Sequence, residues 1–152
     1  FKTVFFNIHI NMLAKNRDQI LENPAWYAAT SSILALSKDV EAQGVRFLVV
    51  YVPAKEHVTW ELIWDPEEIN NFIAQAIPLR SFQEYDAHIH DQMILMEAFA
   101  RENNIELLNL YWNYREETLR GLELYNYADV HWNVAGNQLA ARLIAAYMKE
   151  YP

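Results

Sequence analysis

Phe47-Leu-Val-Val-Tyr-Val52 is an unbroken apolar run of aromatic and β-branched residues, closed by Pro53 and preceded by Gly44. A strand with one wet face alternates polar and apolar residues, so a continuous run of this kind predicts a strand covered on both faces, as in parallel sheets. Immediately upstream, Asn23-Pro24 has the order of an N-cap followed by proline at the first helical position. Trp26, Ala29, Ile33, Leu36 and Val40 then recur on one face, which predicts a helix over about 24–42. A helix feeding a doubly covered strand is the pattern of an α/β domain.

The rest of the chain extends that pattern. Asp65-Pro66-Glu67-Glu68 has capping-box order and predicts a helix over about 66–76, ended by Pro78. Tyr85, Ile89, Met93, Met96, Phe99 and Ala100 predict a helix over about 83–103 that stops at Asn103-Asn104, and Ile105-Glu-Leu-Leu-Asn-Leu110 predicts a second strand. A short helix over 115–122, a loop from Leu124 to His131, and a helix over 134–149 with Leu139, Leu143 and Tyr147 on one side complete the C-terminal part. At the other end Phe1, Val4, Phe5, Ile8 and Met12 step by three and four, as a short amphipathic helix does; Thr3 to Ile8 is the segment that reads most readily as a strand instead.

Two strands flanked by helices leave unpaired edges, so the sheet is expected to be incomplete within this chain. The chain opens on Phe1 and its first methionine is Met12, which agrees with a fragment of a longer protein; a second chain, or a segment such as Thr3 to Ile8 read as strand rather than helix, are the other sources of the missing strands. The 152 residues are read as a single domain over 1–152, without internal repeat or Gly/Ser linker. A hydrophobic share of 53% and an aromatic share of 14% supply a real core, and a chain of this size buries roughly 70% of the surface its unfolded form exposes. With 12 Lys and Arg against 20 Asp and Glu the formal charge is −8 and no dense basic run exists, which argues against nucleic acid as a partner. The absence of cysteine excludes disulfides, thiolate metal sites and cysteine nucleophiles. No apolar run approaches the ~20 residues of a membrane span, so none is expected within this chain.

The segment richest in chemistry is Tyr125-Asn-Tyr-Ala-Asp129-Val-His131-Trp132-Asn133-Val-Ala-Gly136. It sets a carboxylate and an imidazole two residues apart on a loop. Asn133 then caps the last helix, and Gly136 permits close packing in its first turn. A neutral His in such a place can act as general base toward a serine hydroxyl while the carboxylate fixes its tautomer.

The D-x-H-W-N-x-x-G spacing resembles the final block of the SGNH (GDSL-like) hydrolase superfamily, in the branch related to polysaccharide O-acetyltransferases of the alginate-modifying type. Val52-Pro-Ala-Lys55-Glu-His-Val58-Thr-Trp60, after the first strand, and Asn104 to Leu110 are weaker matches; together the three cover roughly residues 45–150. The resemblance implies a flavodoxin-like three-layer parallel sheet of which this chain is the C-terminal portion. It further implies a serine ester hydrolase or carbohydrate O-acyltransferase that needs no cofactor, acts on an acylated small molecule or polysaccharide, and is placed outside the cytoplasm or at a membrane. His131 and Asp129 would be its acid–base pair, and Trp132, Asn133 and Lys55 its substrate contacts. By its residues alone Lys55 reads as a solvated loop lysine.

The family's serine block and its Gly and Asn oxyanion donors are missing. Ser31, Ser32 and Ser37 lie in a predicted helix without flanking glycine, Ser81 stands alone, and glycine occurs only at 44, 121 and 136. The nucleophile is therefore expected outside this chain, upstream, or downstream as in those relatives whose serine block follows the Asp-His block, and the chain alone is expected to be inactive. The alternative from another class is a non-catalytic SGNH-like subunit that docks onto a larger assembly through its incomplete sheet.

No metal site is expected. His88 and His90 point to different helix faces, Asp86 and His90 at i, i+4 form too small a set, and His9 and His57 read as isolated. Among the aromatic residues, most of which read as core, the resemblance implies that Trp60, Trp64, Tyr125, Tyr127 and above all Trp132 border a cleft; Trp26 and Trp112 read as packing.

Overall fold

A computed structural model describes residues 6–62 and 82–150. The predicted helix over 66–76, with Trp64, Pro78 and Ser81, lies outside these residues, as do Phe1, Val4 and Phe5.

The described chain is mixed α/β, mostly helical, around a two-stranded parallel sheet. Strand β1 (Leu48–Tyr51) pairs with β2 (Glu106–Asn109) in the register Leu48 to Glu106 through Tyr51 to Asn109. All eight strand residues are half-buried, in keeping with a continuous apolar run that is covered on both faces. Each strand is two residues shorter than its apolar run.

Before β1 come α1 (Asn7–Leu13), α2 (Arg17–Leu21) and α3 (Pro24–Glu41). Helix α3 begins as its sequence predicts, with the Asn23 side chain accepting from the Ala25 amide at 2.9 Å and Pro24 in the first turn. Helix α2 was missed, although Asn16 and Gln19 close a complete capping box around it; five residues are too few for a periodic apolar signal. In α1 the expected face is the wrong one. Ile10, Leu13 and Ala14 are buried, whereas Ile8 is 67% exposed and Met12 43%.

After β1 the chain enters a short helix, α4 (Lys55–Thr59), and a 3-10 turn at Trp60–Leu62, where the sequence suggested a loop. All five residues of α4 are buried, including Lys55, Glu56 and His57. The single helix expected over 83–103 is two, α5 (Phe82–His88) and α6 (Asp91–Glu102), broken at Ile89-His90. The break serves two cores. Tyr85 and Ile89 pack with Ile10, Leu13 and Trp60, while Met93 packs with Leu110, Tyr111 and Leu139 beside the sheet. Asp91, at the start of α6, takes hydrogen bonds from Arg17 at 3.1 Å and His88 at 2.9 Å.

Helix α7 (Tyr111–Leu119) starts four residues before its predicted position because Tyr111, Tyr114 and Thr118 form a buried face across the whole segment, and it ends at Gly121, whose φ is +94°. Helix α8 (Val134–Glu150) follows the long loop and matches its prediction.

Candidate functional site

The loop between α7 and α8 is built from both of its ends. Tyr125 and Trp132 face each other as an antiparallel bridge, with the Asn133 amide donating to the Leu124 carbonyl at 3.1 Å and the Asn126 amide to the His131 carbonyl at 3.1 Å. The Tyr125 hydroxyl donates to the Pro53 carbonyl at 2.8 Å, tying the loop to the carboxyl end of β1. That end is where open α/β sheets place their ligands. The Trp132 ring packs on Tyr114, with centroids 5.1 Å apart, and the Tyr114 hydroxyl donates to the Gly136 carbonyl at 2.7 Å.

The pinched loop carries Asp129 and His131. Asp129 Oδ1 lies 2.7 Å from His131 Nδ1 and also accepts the His131 backbone N–H at 3.2 Å. The bond from His131 holds the Asp129 carboxyl below its usual range. Engagement of Nδ1 leaves Nε2 as the ring nitrogen that Asp129 does not occupy. A cleft of about 300 Å³ opens beside the pair, lined by Val52, Pro53, Tyr125, Val130, His131, Trp132 and Asn137. Both side chains of the pair are accessible, His131 at 77% and Asp129 at 50%.

The structure separates the aromatic residues expected at the cleft: Tyr125 and Trp132 line it, Trp60 is buried instead in the core with Tyr85 and Ile89, Tyr127 is exposed and outside the lining, and Trp112, read as packing, is 55% exposed. Trp132 lines the cleft and is half-buried against Tyr114. Asn133 performs the capping role: its Oδ1 accepts the Gly136 amide at 3.0 Å, and its Nδ2 donates to the Glu123 carbonyl at 2.7 Å. Its amide is thus engaged by the chain itself. Lys55 is not a solvated loop lysine. It is 1% exposed in the first turn of α4, and its Nζ donates to the carbonyls of Asn126 at 3.3 Å, Tyr127 at 3.1 Å and Asp129 at 2.9 Å. Burial lowers the affinity of Lys55 for its proton, and the neighbouring Glu56 and Asp129 charges oppose that effect.

Sequence reasoning missed a second polar cluster on the other side of α4. His57 is not isolated: its Nε2 lies 2.8 Å from His90 Nδ1, and its ring stacks on Tyr111 with centroids 4.1 Å apart. Burial, with His90 alongside, pushes His57 down to about 3, so it is neutral at physiological pH. His9 likewise has a partner, its Nδ1 lying 2.7 Å from Oε2 of the fully buried Glu56, whose Oε1 accepts the Phe6 amide at 2.8 Å. Asp86 accepts from the Trp60 indole at 2.9 Å. The signal for this cluster was the run Lys55-Glu56-His57 directly after a buried strand, but its partners lie 33 to 50 residues away and no local pattern marks them. Among the described residues, no three His, Asp or Glu side chains converge as a metal site.

None of the described helices is long and apolar enough to cross a membrane. Comparison with protein-family models, curated proteins and solved structures finds no match to this chain.

Proposed function

We propose that this chain supplies the Asp–His half of a Ser-His-Asp acyl-transfer centre, in a flavodoxin-like domain of the SGNH type acting as an ester hydrolase or carbohydrate O-acyltransferase. The observation that carries this reading is the 2.7 Å contact between Asp129 Oδ1 and His131 Nδ1 at the carboxyl end of β1. It fixes the imidazole so that Nε2 is the acceptor. In the reaction, His131 Nε2 takes the serine proton as the hydroxyl attacks the acyl carbon and returns it to the departing alkoxide, while Asp129 stabilises the transient imidazolium. The half-buried Trp132 and the apolar walls at Val52, Pro53 and Val130 suit an acyl group or the face of a sugar ring.

The nucleophile belongs outside the described residues. Ser32 donates to the Ala28 carbonyl at 2.8 Å and Ser37 to Glu41 at 3.1 Å, both within α3. The exposure of His131 and Asp129 leaves room for a facing segment that brings the serine.

The complete natural polypeptide is the material for the test. A fluorophosphonate probe is expected to label one serine, and His131→Ala is expected to abolish that labelling and lower acetyl-ester turnover by about 10³ or more, with the fold retained by circular dichroism. Absence of any labelled serine, or labelling indifferent to His131, leaves the non-catalytic docking domain as the function.

A further inference from the structure

We infer that Lys55 is a positioning residue that sets the geometry of the Asp129–His131 pair, rather than a substrate contact. This rests on the acid–base role proposed for that pair. An ammonium has three N–H donors, and three carbonyls of the loop, those of Asn126, Tyr127 and Asp129, receive them at 3.3, 3.1 and 2.9 Å. The shortest bond goes to Asp129 itself. Holding that carbonyl fixes the backbone from which the Asp129 carboxylate turns toward His131 Nδ1 and the His131 amide.

The other side-chain bonds at the tip come from within the loop, where the His131 amide donates to Asp129 and Asn126 donates to the His131 and Trp132 carbonyls, whereas Lys55 reaches it from outside. The loop's antiparallel pairing reaches Asn126 and His131, and the segment from Tyr127 to Val130 projects beyond that rung. Three carbonyl dipoles aimed at one point repel one another unless a cation stands between them. Lys55 also has a rigid base. It begins α4, whose residues are all buried, and the Phe6 ring lies 5.1 Å from its ammonium. The Tyr125–Pro53 bond holds the stem of the loop against the turn that leads into Lys55. Helix α4 therefore acts as a fixed post from which one side chain crosses into the loop, over 71 to 74 residues of sequence separation.

The test uses this chain, isotope-labelled, and reads the loop rather than turnover. In Lys55→Met, exchange protection of the Asn126 and His131 amides is expected to fall about tenfold or more, while that of strand and α8 amides stays as in the parent. The His131 ring nitrogens are expected to lose the signature of an Nδ1–H bonded to carboxylate, as they do in Asp129→Ala. The chain has no cysteine, so Lys55→Cys can be alkylated selectively with bromoethylamine to restore an ammonium of nearly the same reach, and both signals are expected to return. An unchanged loop in Lys55→Met, or no recovery on aminoethylation, overturns the inference. Should Lys55→Met fail to fold, the parent protein decides. A slowly exchanging Lys55 ammonium in contact with the loop upholds the assignment, and a freely exchanging one overturns it. Because fluorophosphonate labelling depends on His131 and not on these loop signals, failure here with labelling intact removes only the role of Lys55, and the converse removes only the enzymatic reading.

Discussion

Gly136 begins the contact between α8 and the site loop with its backbone pressed against the Leu124 carbonyl: a Cβ built there lies 2.3 Å from that oxygen and 3.1 Å from Trp132 Cβ. Backbone cannot yield as the tip of a flexible side chain can. Gly136→Ala is therefore expected to destabilise the fold by about 1–3 kcal/mol, read from urea unfolding, and to loosen the Tyr125–Trp132 bridge; parent-like stability would show that the loop relaxes freely. This glycine was legible because it stands in the first turn of a helix beside a loop dense in polar residues. Lys55 was not. Nothing within a few residues of it marks a buried lysine, since the carbonyls that satisfy it come from the far end of the chain.

Helix boundaries were most legible where a cap is written in neighbouring residues. Asn23-Pro24 starts α3 and Asn133 starts α8 by side-chain acceptance of a backbone amide, at 2.9 and 3.0 Å. Replacing Asn133 by alanine removes that cap and the bond to the Glu123 carbonyl, so a loss of about 1–2 kcal/mol in unfolding free energy is expected, with the first turn of α8 losing amide protection before the remainder. Equal protection along α8 would mean that packing alone sets its start. Periodicity, by contrast, misled where two cores compete for one apolar run. Tyr85, Ile89 and Met93 keep helical spacing, yet the first two serve the α1 core and the third serves the sheet, and the chain breaks at His90 to reach both. In α1 the apolar positions chosen from spacing were Ile8 and Met12, and the positions buried are Ile10, Leu13 and Ala14. Spacing identifies an amphipathic helix but not which of two apolar stripes meets the neighbour.

At the scale of the molecule the buried titratable groups bound the pH range of stability. His57 has its folded pKa depressed to about 3, so between there and the ordinary value the unfolded chain binds the extra proton. Its contribution is therefore fully present above about pH 6.5 and is lost as pH falls toward 3, with a slope of at most about 1.4 kcal/mol per pH unit. Burial raises the hydroxyls of Tyr51, Tyr85, Tyr114 and Tyr125, so the unfolded chain loses protons first above about pH 10 and stability falls there as pH rises. Urea midpoints measured against pH are expected to fall on the acid side below about pH 6.5, and His57→Gln is expected to flatten that acidic limb; an unaltered acidic limb in that variant would assign it to other groups.

Local chemistry in the sequence determined that this is an α/β chain, where the two parallel strands and the two longest helices among the described residues lie, and that an Asp, a His and a capped helix follow one another in a single loop. Those features depend on hydrogen bonds and side-chain spacing within a few residues, which a sequence displays directly. Tertiary structure alone decided that Lys55 is buried beneath that loop, that His57 meets His90 and His9 meets Glu56, and that a long apolar run is cut into α5 and α6. Each of these depends on segments far apart in sequence excluding water from one another, so that a buried ammonium or carboxylate must find its partners wherever the packed chain brings them.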